Sequence, residues 1–247
     1  MAGHSKWKNI RIRKGKQDAV RGKLFTKISR EIIVAARAGG GDPGMNPRLR
    51  VAVDKAREAS MPVDNIKKAI GRGTGEIEGA DYEELVYEGY GPGGSAIILE
   101  CYSENKNRTV AEVRHAFSKN GGNMADNGSV SWQFKRVGNI TVPKTGVDED
   151  EFTMAALDAG AEDIESDEDG ITVTTALEDL HKVNDALIQA GYKTSDAELT
   201  YMPTNKAELS PDDASKLMRL LDALEDLDDV QETYVNVDIT EDMLQEA

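Results

Sequence analysis

The sequence predicts an α+β multidomain protein, with an N-terminal three-helix domain followed by two ferredoxin-like α+β domains, one inserted in the other. Three observations predict it. Residues 23–75 carry apolar side chains at helical spacing, interrupted by glycine-rich stops. Residues 138–202 alternate in the order β-α-β-β-α-β, the split βαβ of ferredoxin-like folds. The remaining helix and strand, in residues 204–247, cannot bury an apolar face alone, and they complete the β-β-α-β of residues 85–135. The expected domains are therefore 1–78, basic and helical with an N-terminal arm; 79–136 plus 204–247, discontinuous; and 137–203, inserted.

Each element has its own signal. Residues 1–22 are polar and basic, with only Trp7, Ile10, Ile12 and Val20 as large apolar anchors, so they read as an arm. Leu24–Ala38 is an amphipathic helix, with Leu24, Phe25, Ile28, Ile32 and Ala35 on one side, and Gly39-Gly40-Gly41 stops it. Asn46 offers an N-cap and Pro47 a first helical residue for a second helix over Arg48–Ser60. Pro62 opens a third, with Ile66, Ala69 and Ile70 inward and Lys67 and Lys68 outward. Gly71-Arg72-Gly73-Thr74-Gly75 ends it.

Strands follow at Leu85–Tyr90 and Ser95–Tyr102, joined by Gly91-Pro92-Gly93-Gly94. A helix over Thr109–Asn120 opens at Asn107 or Thr109, and Ser129–Lys135 alternates as a strand. The inserted domain reads as strand Ile140–Val142, helix Glu149–Ala159, strands Ala161–Ser166 and Ile171–Thr175, helix Leu177–Ala190 and strand Ala197–Met202. Helix Pro211–Leu227 and strand Val230–Val237 close the chain.

Charge is segregated along this framework. The formal net charge is −15. Yet residues 1–75 hold 18 of the 30 Lys and Arg against six carboxylates, a balance of +12. The other 12 cations face 39 carboxylates, a balance of −27. Such a split marks one part that meets a polyanion and a body that does not. The candidate nucleic-acid-binding residues are Lys6, Lys8, Arg11, Arg13, Lys14, Lys16, Arg21, Lys23, Lys27, Arg30 and Arg37, with Trp7 either stacking on a base or anchoring the arm.

Other chemistries find little support. Cys101, the only cysteine, lies in an apolar strand and reads as packed; a lone cysteine also excludes an intrachain disulfide and suits a reducing cytoplasm. His4, His115 and His181 fall in three different parts of the chain, so no catalytic or metal centre is expected and no cofactor. The acidic clusters at 148–151, 167–169 and 226–229 lack calcium-loop spacing. The glycine-rich stretches 39–44, 71–75 and 89–94 lack the phosphate-loop lysine and read as caps and turns. No apolar run approaches the about 20 residues a membrane helix needs. Neither a membrane partner nor a small-molecule substrate is expected.

Several stretches carry a resemblance. Met1-Ala-Gly-His-Ser-Lys-Trp, Lys23-Leu-Phe-Thr-Lys-Ile, Gly39-Gly-Gly-Asp-Pro, Asn46-Pro-Arg-Leu-Arg, Tyr87-Glu-Gly-Tyr-Gly-Pro-Gly-Gly and Asn107-Arg-Thr-Val-Ala-Glu-Val-Arg-His-Ala-Phe together resemble the YebC family, bacterial relatives of a mitochondrial translational activator. The resemblance implies a cytoplasmic three-domain protein without known catalysis, usually described as a DNA-binding transcriptional regulator. Some members resemble ribosome-associated factors. DNA and ribosomal RNA thus both stand as partners, the ribosome among them. The lack of a clear helix-turn-helix reader leans toward backbone or shape recognition. A small-molecule enzyme of ferredoxin-like fold and a protein-binding adaptor are the readings from other classes.

Overall fold

The computed structural model describes residues 17–167, 170–239 and 243, with side chains from residue 22 onward. The first helix, α1 (Gln17–Gly39), packs against α2 (Pro47–Glu58) and α3 (Val63–Thr74) around Ile32, Ile33, Leu49, Val53, Ala56 and Ile66. It begins at least seven residues before the expected Leu24, because Ala19, Arg21 and Lys23 extend a helix already held by core packing downstream. Asn46 fixes the α1–α2 turn. Its Oδ1 accepts from the Leu49 amide at 3.0 Å, while its Nδ2 donates to the carbonyls of Ala35 and Gly40, each at 2.8 Å. Helix α3 approaches α1 closely at Gly73, where a Cβ would lie 2.5 Å from the Ile33 carbonyl oxygen.

The first sheet contains β1 (Glu83–Tyr90), β2 (Ala96–Ser103), β3 (Asn123–Ala125) and β8 (Val230–Val235), in the order β3-β1-β2-β8, with each neighbouring pair antiparallel. Helices α4 (Lys106–Lys119) and α7 (Pro211–Glu225) cover one face. Strand alternation sends Ile97, Leu99 and Cys101 toward Phe117, Leu217 and Leu221 on that face. On the other face Ala96, Ile98 and Tyr234 meet Val130 and Phe134.

The second sheet contains β4 (Phe134–Val142), β5 (Asp163–Ser166), β6 (Ile171–Thr175) and β7 (Asp196–Pro203), in the order β5-β6-β4-β7. Read in chain order this is 2-3-1-4, the ferredoxin-like arrangement. Its helices α5 (Glu149–Ala159) and α6 (Leu180–Gln189) close over Ile140, Val142, Phe152, Val173 and Leu187. Because β8 returns to pair with β2, the second α+β unit is inserted in the first. The two sheets meet at Tyr201 and Tyr234, whose rings are 5.1 Å apart between centroids.

Three elements depart locally from expectation, the first for a nonlocal reason. The expected strand Ser129–Lys135 is replaced by β3 upstream, a tight 3-10 turn at Ser131–Gln133, and β4, which runs unbroken past residue 136. What overrides the alternation is Glu88, whose carboxylate accepts from the amides of Gly128 (2.7 Å), Val130 (2.7 Å) and Ser131 (2.9 Å) and curls the loop onto β1. Helix α4 starts at Lys106 under an Asn105 cap, leaving the Thr109 hydroxyl to donate to Asp229. Helix α6 starts at Leu180 rather than Leu177, after a turn at 177–179.

Candidate nucleic-acid interface

Eleven cationic side chains of the helical unit lie among the described residues, from Lys23 to Arg72. Seven of them make ion pairs, and six of those reach carboxylates outside the unit. On α1, Lys23 pairs with Asp226 (3.1 Å), Lys27 with Glu225 (3.3 Å) and Arg30 with Asp229 (3.2 Å), while Arg37 pairs with Asp81. On α2, Arg48 pairs with Glu84 (2.6 Å) and Lys55 with Glu198 (3.0 Å), the latter on β7 of the inserted unit. Arg57 pairs locally with Asp54. The stripe Lys23-Lys27-Arg30-Arg37 is therefore real, but its first three members face the end of α7 and the start of β8, and Arg37 faces Asp81 ahead of β1. It is a docking seam between a basic unit and an acidic body.

Asp229 is the centre of that seam. Its side chain is 2% exposed. It accepts two bonds from Arg108 Nη2 (3.1 and 2.9 Å), one from Thr109 Oγ1 (2.6 Å) and one from Ser103 Oγ (3.3 Å), besides its pairing with Arg30. Burial pushes its carboxyl up, but Thr109, Arg108 and Arg30 outweigh burial and hold it below the ordinary carboxylate range. The Arg30 guanidinium also lies over the Tyr82 ring, 5.4 Å from its centroid, and donates to the Asp228 carbonyl.

Four cations of the helical unit carry no ion pair among the described residues: Arg50 on α2, and Lys67, Lys68 and Arg72 on α3. All four are exposed. Sequence reasoning favours the denser row upstream over these four. The outward placement of Lys67 and Lys68 on the third helix is the signal that points to them. Of the residues that the sequence nominates, Lys6, Trp7, Lys8, Arg11, Arg13, Lys14 and Lys16 lie outside the described residues, and Arg21 is described only as part of α1.

A polar cleft of about 290 Å³ opens where the three units meet, with Arg48, Lys55, Glu100, Arg136, His181 and Glu198 on its walls. Its charges answer one another. Burial lowers the Lys55 ammonium, yet Glu31 and Glu198 overcome that and hold it firmly protonated. The Glu100 carboxyl is pushed up by burial, while its oxygens accept from the Tyr234 hydroxyl (3.1 Å) and face Arg136 at 3.9 Å. Cys101, on the same wall, is buried and its thiol is pushed up to about 12 by burial and by Asp229, so it is a protonated packing residue. His115 and His181 are exposed on different units. Among the described residues no cluster of His, Cys, Asp and Glu could hold a metal ion, and no helix is long and apolar enough to cross a membrane.

Residues 5–76 match the family model described as the TACO1/YebC protein N-terminal domain, and residues 82–237 match the TACO1/YebC second and third domain. A relative from Acidithiobacillus ferrooxidans, named a probable transcriptional regulatory protein, is 56% identical over 242 residues, covering 98% of this chain and 96% of the relative. One of the same name from Persephonella marina is 54% identical over 249 residues and covers both chains fully. A crystal structure of a conserved hypothetical protein from Aquifex aeolicus superposes with a TM-score of 0.83 at 45% identity, covering 90% of this chain and 92% of that one.

Proposed function

The chain belongs to the TACO1/YebC family, and from that premise we propose that it is a non-enzymatic, nucleic-acid-binding regulator of gene expression that acts on DNA, as a transcriptional regulator. The observation that carries this reading is the quartet Arg50, Lys67, Lys68 and Arg72, exposed cations of the helical unit that make no ion pair among the described residues. They share the helical unit with the basic arm of Lys6, Lys8, Arg11, Arg13, Lys14 and Lys16. Each phosphate neutralised by such a surface releases a counterion, which gives affinity without base reading. The rest of the chain is acidic overall, so the field of the whole molecule draws a duplex to the helical side. Helix α3, joined to α2 by the four residues Ala59–Pro62, carries three of the four cations. The names of the relatives agree with a regulatory role. The domain limits that go with this reading are 1–78, 79–136 with 204–247, and 137–203.

A second reading, contact with ribosomal RNA, is favoured by one observation: an exposed tryptophan, Trp132, suits unpaired bases that duplex DNA keeps stacked.

The reading is tested by anisotropy titrations of labelled duplex DNA and of a ribosomal RNA fragment over a range of salt concentrations. Log affinity should fall linearly with log salt. Replacing Lys6, Lys8, Arg11 and Arg13 with Ala should flatten the slope, by about 0.9 for each duplex phosphate that is no longer neutralised. Absence of binding to either nucleic acid at low salt would contradict the proposal. A slope that the four substitutions leave unchanged would remove the arm from it.

A further inference from the structure

Trp132 is 68% exposed, yet nothing about its setting is loose. Its indole Nε1 donates to the Ser129 carbonyl at 2.9 Å, and the hydroxyl of Tyr90, 37% exposed, donates to the same oxygen at 2.8 Å. The loop that presents them is held from three sides. Glu88 takes the amides of Gly128, Val130 and Ser131. Val130 is fully buried between the sheets. The Gln133 carbonyl accepts from both the amide (2.7 Å) and the hydroxyl (2.9 Å) of Thr204, and its side-chain oxygen accepts from Asn236 at 3.0 Å. Two aromatic rings thus stand in water with their polar tips already satisfied, and only π-surface and ring edges are left to offer.

We infer that Trp132 and Tyr90 form a preorganised stacking platform for an unpaired nucleobase. The platform rests on the nucleic-acid reading above and deepens it, by adding single-stranded recognition on the body of the protein to phosphate contact on the helical unit. The surroundings decide between a base and a protein partner. The chain neighbours of Trp132 in this loop, Asn127, Ser129, Ser131 and Gln133, are polar, and the one contact its indole makes is to the Ser129 backbone. A protein interface needs an apolar core within about 800 Å² on each side. A base needs one flat face, and every base has one, so the contact tolerates any sequence. The turn after α4 runs beside Tyr90, since Asn123 pairs with Tyr90 in the sheet. With an indole N–H already committed to Ser129, discrimination between bases through that donor is not expected.

The test uses the full chain carrying Trp7→Phe, in which Trp132 is the only tryptophan. Single-stranded RNA and DNA 12-mers and a duplex of the same length are titrated while the indole emission is followed. Single strands should quench Trp132, and Trp132→Leu should weaken their binding by about 5- to 150-fold while leaving duplex affinity and salt slope in place. Because the ring is exposed, the melting temperature of Trp132→Leu should match that of the parent. Glu88→Gln, which keeps both aromatic rings, should weaken single-strand binding and raise the mobility of Trp132 in anisotropy decay. Unquenched Trp132 with undiminished single-strand affinity in Trp132→Leu would overturn the platform and leave the helical surface standing. Failure of every nucleic acid to bind would overturn the proposed function, and the platform with it. A concentration-dependent blue shift with doubling of mass would make the ring a self-association contact and overturn the inference.

Discussion

Asp229 gathers Arg30, Arg108, Thr109 and Ser103 from the helical unit, the start of α4 and the end of β2, so one carboxylate joins elements far apart in sequence. Replacing it with Ala strands two guanidinium groups, of which Arg30 is nearly buried, and should cost about 3–5 kcal/mol in urea unfolding. Its pH dependence follows from its low carboxyl value. The unfolded chain takes up this proton first, near the ordinary 3.8, so the stabilisation is complete above that value and is lost as pH falls through the lower folded value. The stability gap between the parent and Asp229→Asn should therefore narrow when measured from about pH 6 down to about pH 3. A gap that stays constant over that range would mean the carboxylate charge contributes nothing. None of this was legible in the sequence, where residues 226–229 read only as an acidic cluster without calcium-loop spacing. The partners lie up to 126 residues from Asp229 within the outer sheet unit, and Lys23 lies 203 residues from Asp226.

Local chemistry decided most elements, and where it did, the sequence was enough. The Asn46-Pro47 cap, the glycine stop after α1, the limits of α5 and the strand at Ile171–Thr175 all follow from residues within a few positions of the feature. The strand expected over Ser129–Lys135 failed for the opposite reason. Its alternation is sound, but Glu88, some 40 residues earlier, collects two of its amides and that of Gly128 just before it, and turns the first half into a loop. Helix packing shows the same mixture. Gly73 looked like part of a helix stop, and the structure makes it the point where α3 touches α1: a Cβ there would meet Ile33 O at 2.5 Å and Ala36 Cβ at 2.7 Å. Gly73→Ala should push the two helices apart and destabilise the protein by about 1–3 kcal/mol in thermal or urea unfolding. Gly40, at φ 87 in the turn after α1, would tolerate Ala sterically but not conformationally.

Across the whole molecule, charge has two uses that the sequence alone could not separate. The excess of cations in the first 75 residues was plain, as was the acidity of the rest. Which cations dock the helical unit and which remain outward depends on the tertiary arrangement, and the densest described stripe turned out to be the docked one. Lys55 extends the same logic to the third unit, binding Glu31 of its own helical bundle and Glu198 of the inserted sheet. On the proposed function, nucleic acid meets Arg50, Lys67, Lys68 and Arg72 while the α1 row holds the molecule together. Duplex-DNA affinity against salt for two Ala variants, one of that quartet and one of Lys23, Lys27 and Arg30, tests it most directly. The quartet variant should keep the parent's melting temperature and show a shallower slope, by about 0.9 for each phosphate it leaves unneutralised. The α1 variant should melt earlier and keep the slope. The reverse pattern, a flattened slope only in the α1 variant, would contradict the account.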